Sequence, residues 1–118
     1  MLEKFLHMSA LFDIYGPLLT DKQKRCLQMH LYEDLSLSEI SVQLKISRQA
    51  VYDMLRRSEL IMQQYEDKLG LVARLTREKR EISLIITDLS SIEQEYNDPR
   101  LNNISKRLSV LVNDSKEV

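Results

Sequence analysis

Two helix-start signals, Ser36 with Glu39 three residues on and Ser47 shortly after, bracket a stretch with room for one small helix and one tight turn. A capping Ser or Thr hydroxyl accepts from an amide of the first helical turn, and a Glu or Gln three residues later reaches back to the amide of the cap. Ser36 and Glu39 supply both halves of that exchange, so a helix is expected over Leu37–Leu44. Lys45-Ile46-Ser47 is then a three-residue connection. Ser47 opens a second helix that meets no breaker until Gly70, whose tolerance of positive φ suits a stop after Leu69. Helices joined this tightly cross steeply and need an apolar wedge between them. Ile40, Leu44, Ile46, Val51 and Met54 stand at the spacing of such a wedge, with the small Ser41 at the close approach. Together these are the requirements of a helix-turn-helix, which leaves the first turns of its second helix free to enter a nucleic-acid groove. Two positions depart from the common pattern: Ser41 stands where Ala or Gly is usual, and Lys45 where Gly is usual in the turn.

The rest of the chain is equally unpunctuated, with two glycines and two prolines in 118 residues. Long helices therefore face few breakers, and the expected fold class is all-α. Leu2, Phe5, Leu6, Ser9 and Phe12 recur at helical spacing up to Gly16-Pro17, which predicts a first helix over Leu2–Tyr15. Thr20 and Gln23 repeat the capping pair, and Cys26, Leu27 and Leu31 give that helix its inner face before the acidic break at Glu33-Asp34. Beyond Gly70, Leu75, Ile82, Leu89 and Tyr96 recur every seven residues with Leu71, Ile85 and Ile92 between them, a coiled-coil-like seam about three heptads long. Glu78 interrupts this seam, and Arg74, Arg77, Lys79 and Arg80 crowd its first half. Asn97-Asp98-Pro99 ends the helix, and Leu101, Ile104, Leu108 and Leu111 mark a last one.

The expected organisation is a helix-turn-helix domain over residues 1–70 and, over 71–118, a long helix continued into a C-terminal helical hairpin that serves packing or dimerisation. Two readings of the seam stand side by side. It closes on the last helix within one chain, or Leu75, Ile82, Ile85, Leu89, Ile92 and Tyr96 form the interface of a homodimer. Residues 113–118 are polar enough to fray.

Several function classes fall away. No apolar run is long enough to insert in a membrane, and one cysteine, Cys26, cannot form an internal disulfide, so a cytoplasmic protein is expected. His7 and His30 lie far apart without helical partners at metal-ligand spacing, and no glycine-rich loop is present to cradle phosphate. An enzyme is not expected, nor a cofactor. The formal net charge of −1 gives little long-range attraction to nucleic acid, and between Thr20 and Leu60 seven bases face six acids. Binding must come from a focused patch.

The second helix of the motif supplies one. Its outward face begins with Arg48, Gln49 and Tyr52 and continues through Asp53, Arg56 and Arg57. Arg and Gln make paired hydrogen bonds to guanine and adenine edges, each pair worth roughly 1–3 kcal/mol of base discrimination. Arg48 and Gln49 are the expected base readers. Arg56 and Arg57, two turns on, suit phosphates, as do Lys45 in the turn and the amide-rich cap at Ser47. The expected partner is DNA.

Residues 19–69 resemble the region 4 module of bacterial sigma factors, which contacts the promoter −35 element. Through YGPLLTDKQ, SLSEI, SRQAVYD and YEDKLGLV the whole chain resembles the YlxM family of small helix-turn-helix proteins from Gram-positive bacteria. The sigma-like pattern places Arg48 and Gln49 at the groove-facing start of a recognition helix. The family resemblance implies a regulatory DNA-binding protein connected with the signal recognition particle pathway. The alternative it leaves open is an accessory factor of that pathway that binds RNA or protein, the particle's own components included.

Overall fold

Leading from cap to cap, the described residues build six α-helices: α1 (Leu2–Tyr15), α2 (Asp21–Leu31), α3 (Leu37–Leu44), α4 (Arg48–Leu69), α5 (Leu71–Glu95) and α6 (Pro99–Asp114). The structure is a computed structural model that describes residues 2–114, and no strand occurs among them. The chain divides into two compact units, the first ending at Val72 and the second beginning at Ala73.

The starts of α2, α3 and α4 are each fixed by a capping side chain that the sequence offers. Thr20 Oγ1 accepts from the Gln23 amide at 3.2 Å while the Thr20 amide donates to Gln23 Oε1 at 3.0 Å. Ser36 and Glu39 make the same reciprocal pair at 3.1 and 3.0 Å. The Ser36 amide, then its hydroxyl, holds the Glu39 carboxyl below its ordinary pKa. Ser47 Oγ accepts from the Ala50 amide at 3.0 Å.

Both turns of the motif region place a non-glycine residue in the left-handed region. Asp34 sits at φ 53° beyond α2 and Lys45 at φ 58° beyond α3. In each, an amide just past that residue closes back on the helix: Leu35 N–H to the Met29 carbonyl and Ile46 N–H to the Ser41 carbonyl, both at 3.1 Å. The first closure spans seven residues and the second six, and each satisfies a carbonyl that a helix end otherwise leaves open. Lys45 therefore occupies the conformation that makes Gly usual in the turn, at a steric cost of about 1–2 kcal/mol for a side chain.

The wedge is assembled as expected. Ile40 and Val51 are completely buried, and Leu44, Ile46 and Met54 pack against the same core. Leu11, Tyr15, Cys26, Leu27 and Met62 complete its centre, so α1, α2, α3 and α4 share one apolar interior. Cys26 is a buried hydrophobe, and burial pushes its thiol pKa up. The Gly16-Pro17 stop is a single 3-10 turn, Gly16–Leu18, which the sequence pattern did not suggest. A Cβ at Gly16 would lie 3.0 Å from the Phe12 ring, so this glycine serves a close approach.

Tyr15 ties the end of α1 to the stretch where α4 gives way to α5. Its ring is 1% exposed and stacks on Tyr65 at a centroid distance of 5.8 Å. Its hydroxyl donates to Glu66 Oε1 at 2.5 Å and accepts from the Leu71 amide at 3.3 Å, while the Val72 amide donates to the same carboxylate oxygen at 2.9 Å. Gly70 sits at φ 62° between the two helices, the left-handed stop expected of it.

In the second unit no described residue is fully buried. The six seam positions fall into two sets. Leu75, Ile82 and Leu89 are half-buried, as are Leu101, Leu108 and Val112 of α6. Ile85, Ile92 and Tyr96 are exposed, as are Ile104 and Leu111. Asn113 and Asp114 continue α6, and the remainder of the segment expected to fray, residues 115–118, lies outside the described residues. Glu78 does more than interrupt the seam: its Oε1 accepts from Arg74 Nε at 2.9 Å.

Candidate nucleic-acid interface

The position of every candidate side chain follows from the clamp between α3 and α4. Because Ile40, Ile46 and Val51 face the core, the opposite edge of α4 is turned to solvent. Lys45, Ser47, Arg48, Gln49, Tyr52, Arg56 and Arg57 are all exposed. Arg48, Gln49 and Tyr52 gather around Leu37, whose side chain at the start of α3 floors a shallow recess beside them. Leu37 is the member of this group that sequence reasoning missed. It reads as a helix start, and only the crossing of α3 over α4 brings it under the recognition face.

Helical spacing separates the remaining residues into two stripes. Arg48, Tyr52 and Arg56 succeed one another at four-residue steps on one, and Gln49, Asp53 and Arg57 on the other. The second stripe is partly self-satisfied, since Gln49 Nε2 donates to Asp53 Oδ1 at 3.0 Å. The Gln49 carboxamide keeps its carbonyl oxygen and a second N–H, the donor–acceptor pair that adenine recognition uses, while the bond to Asp53 fixes its orientation. The i,i+4 spacing of the two residues was the available signal for this coupling. Arg56 and Arg57 are successive residues and so project about 100° apart. Arg56 shares the side of Tyr52, whereas Arg57 continues the line of Gln49 and Asp53.

The electrostatics are sharper than the near-neutral composition implies. Of the bases between Thr20 and Leu60, Lys24 is paired with Asp21 at 3.6 Å and Arg25 with Glu33 at 2.7 Å. Both pairs belong to α2 and its following turn. Among the ion pairs of the described residues none involves Lys45, Arg48, Arg56 or Arg57. These two pairs involve no charge of α4, and its outward edge keeps Arg48, Arg56 and Arg57 beside Asp53. Tyr52, 46% exposed, lies among these charges with a ring able to contact a thymine methyl or a sugar.

A metal centre has no foundation in the described residues, where no group of three or more His, Cys, Asp and Glu comes together. His7 Nε2 is 2.8 Å from Gln63 Oε1, and His30 packs edge-on to Phe5 at 6.3 Å. No helix among the described residues is long and apolar enough to cross a membrane.

This architecture has relatives. Residues 2–104 match the family model described as "Putative helix-turn-helix protein, YlxM / p13 like", UPF0122. The chain belongs to this family. A UPF0122 protein of Thermoanaerobacter sp. (strain X514) is 40% identical over 107 residues, 91% of this chain and 92% of that one. One from Geobacillus kaustophilus is 46% identical over 80 residues, 68% and 73% of the two chains, and one from Bacillus thuringiensis 41% identical over 98 residues, 83% and 88%. Similarity to UPF0122 members thus runs through the clamp, the exposed edge of α4 and much of the second unit.

Proposed function

We propose that this UPF0122 protein is a sequence-reading DNA-binding regulator whose α4 enters the major groove. The observation that carries this reading is the row of exposed cations without ion-pair partners, Lys45, Arg48, Arg56 and Arg57, on a helix whose opposite side is locked into the core. Arg48 and Gln49 in the first turn read base edges. Lys45, Arg56, Arg57 and the capped amides at Ser47 hold phosphates, and Tyr52 contacts the groove wall between them.

The three cations assigned to phosphates, Lys45, Arg56 and Arg57, give a salt dependence of about −0.9 per phosphate neutralised, or a log–log slope of about −2.7. Affinity at this level is modest, so the regulator acts as a homodimer. The exposed apolar residues Ile85, Ile92 and Tyr96 of α5, with Ile104 and Leu111 of α6, support pairing of second units, whereas half-buried Leu75, Ile82 and Leu89 support closure within the chain. Paired modules read two half-sites.

The test is selection of bound fragments from genomic DNA, followed by salt titration on a selected site. Arg56→Ala with Arg57→Ala lowers the slope by about 1.8 across sequences, and Arg48→Ala relaxes base preference at one position. A slope unchanged by the double substitution removes the phosphate role. A light-scattering mass that stays monomeric at high micromolar concentration, free and on DNA, removes the dimer.

A second reading has its own observation: carboxylates of Asp53 and Glu59 stand on the same helix as the cations, which suits a protein or RNA surface of mixed charge. In that reading the protein serves the signal recognition particle in the cytoplasm without specific DNA binding. Pull-down with and without nuclease separates the two, since recovery of that particle's components only in intact RNA favours the second.

A further inference from the structure

Behind the recognition edge, on the side of α4 that carries Tyr52 and Arg56, the first unit has an open cleft of about 660 Å³. That volume is within the range of small-molecule sites, roughly 300–1,000 Å³. Its walls are largely apolar, from Phe5 and Met8 of α1 and from Leu55 and Leu60 of α4. Tyr52 and Leu60 mark its extent along α4, eight residues and therefore about 12 Å. Met8 and Leu55 are buried and continue into the core, whereas Phe5 and Leu60 are exposed apolar side chains.

The charged groups of the cleft decide what kind of occupant it suits. Lys4 and Arg56 bring two cations and Glu59 one anion, none of them in an ion pair of the described residues. His30 completes the polar lining, and burial lowers its pKa against the opposing pull of Asp34, which favours the neutral imidazole. The balance is one positive charge beside an elongated apolar trough. An aliphatic chain with an anionic head is complementary to both.

We propose that this cleft is an effector site for a medium-chain carboxylate, whose tail lies along α4 between Phe5 and Leu60 and whose head is held by Lys4 and Arg56. The regulatory consequence rests on the nucleic-acid reading of α4. Arg56 cannot serve a carboxylate and a phosphate together, and a filled cleft holds Tyr52 against its tail, so the effector weakens DNA binding.

The experiment titrates decanoate, below its micelle concentration, into the full chain and follows binding by calorimetry and by methyl shifts of Met8 and Leu60. Decanoate saturates at one per chain, and decylammonium, with the same tail and the opposite head, binds at least tenfold more weakly. Lys4→Gln weakens decanoate severalfold, Glu59→Gln tightens it, and Leu60→Asn abolishes it; circular dichroism verifies that each variant is folded. Equal binding of the two amphiphiles, indifference to these substitutions, or capture only by phosphatidylglycerol vesicles overturns the site. On a selected DNA fragment, decanoate lowers the affinity of the parent protein and leaves that of Leu60→Asn unchanged. Saturation with no change in DNA affinity overturns the regulatory role. Failure to bind any DNA while decanoate saturates sinks the nucleic-acid reading and leaves the site standing.

Discussion

Replacing Tyr15 by Phe isolates the polar half of the joint between α1 and the α4–α5 stop. The ring survives, so its burial at 1% exposure and its stacking on Tyr65 are retained and no cavity opens. What disappears is the hydroxyl, with its 2.5 Å bond to Glu66 and its 3.3 Å bond from the Leu71 amide. Hydrogen bonds to a charged acceptor contribute about 1.5–3 kcal/mol, and the longer amide bond adds little. Glu66 is half-exposed and keeps the Val72 amide at 2.9 Å, so water replaces part of the loss. The net cost should be about 1.5 kcal/mol, or roughly 6–12 °C in Tm for a unit of this size. Urea unfolding followed at 222 nm should show a lower midpoint with an unchanged slope. A double-mutant cycle with Glu66→Ala should return a coupling of about 1 kcal/mol. If Tyr15→Phe lies within about 0.3 kcal/mol of the parent, or the cycle is additive, the joint carries no energy and the reasoning from its geometry fails.

Three further outcomes follow from the same structure. Ile40→Ala should cost about 2–5 kcal/mol, because a completely buried side chain at the wedge leaves a void between α3 and α4; thermal unfolding measures it, and a loss below about 1 kcal/mol would show the clamp to be loosely packed. Lys45→Gly should stabilise the fold by about 0.5–1 kcal/mol by relieving a left-handed side chain at φ 58°, while weakening DNA binding through the lost cation; stability and affinity moving in the same direction would contradict the assignment. Burial, then the bond its hydroxyl donates to Asp13 at 2.5 Å and the charge of that carboxylate, push the Tyr32 pKa up to about 12. A raised pKa favours the protonated phenol, so this stabilisation is complete below pH 10 and is lost between pH 10 and about 12; absorbance at 295 nm should show a late phenol that vanishes in Tyr32→Phe.

What could be read from the sequence is what chemistry decides locally. Thr20, Ser36 and Ser47 start helices by bonding amides three residues away, and Gly70 stops one by its own φ, so α2, α3 and α4 have the expected bounds. The wedge was legible for a related reason, since its two helices are separated by a single turn. The Tyr15–Glu66 joint was not legible, because its partners are 51 residues apart and neither belongs to a periodic pattern. The seam shows a third situation. Spacing by seven selects a helix face, but α5 has apolar residues on two faces, and the spacing does not separate half-buried Leu75, Ile82 and Leu89 from exposed Ile85, Ile92 and Tyr96.

The residues of the candidate site were legible in the sequence, but its charge was obscured by arithmetic of a different sort. Seven bases against six acids describe a window of chain, whereas a phosphate meets only one edge of one helix. Two of those bases, Lys24 and Arg25, neutralise Asp21 and Glu33 on and just after α2, which subtracts equal charge from both columns without involving any charge of α4. What remains is five bases against four acids, and of those acids only Asp53 and Glu59 stand on α4 with Arg48, Arg56 and Arg57. Asp53 is engaged by Gln49, and Glu59 lies in the cleft. A weakly charged chain can therefore present a strongly directional face, provided its ion pairs form within elements that never approach the ligand. Exchanging the order of one such pair, Arg25→Glu with Glu33→Arg, leaves composition and net charge untouched and should leave nucleic-acid affinity untouched as well. The corresponding exchange across α4, Arg48→Asp with Asp53→Arg, has the same formal sum and should abolish it.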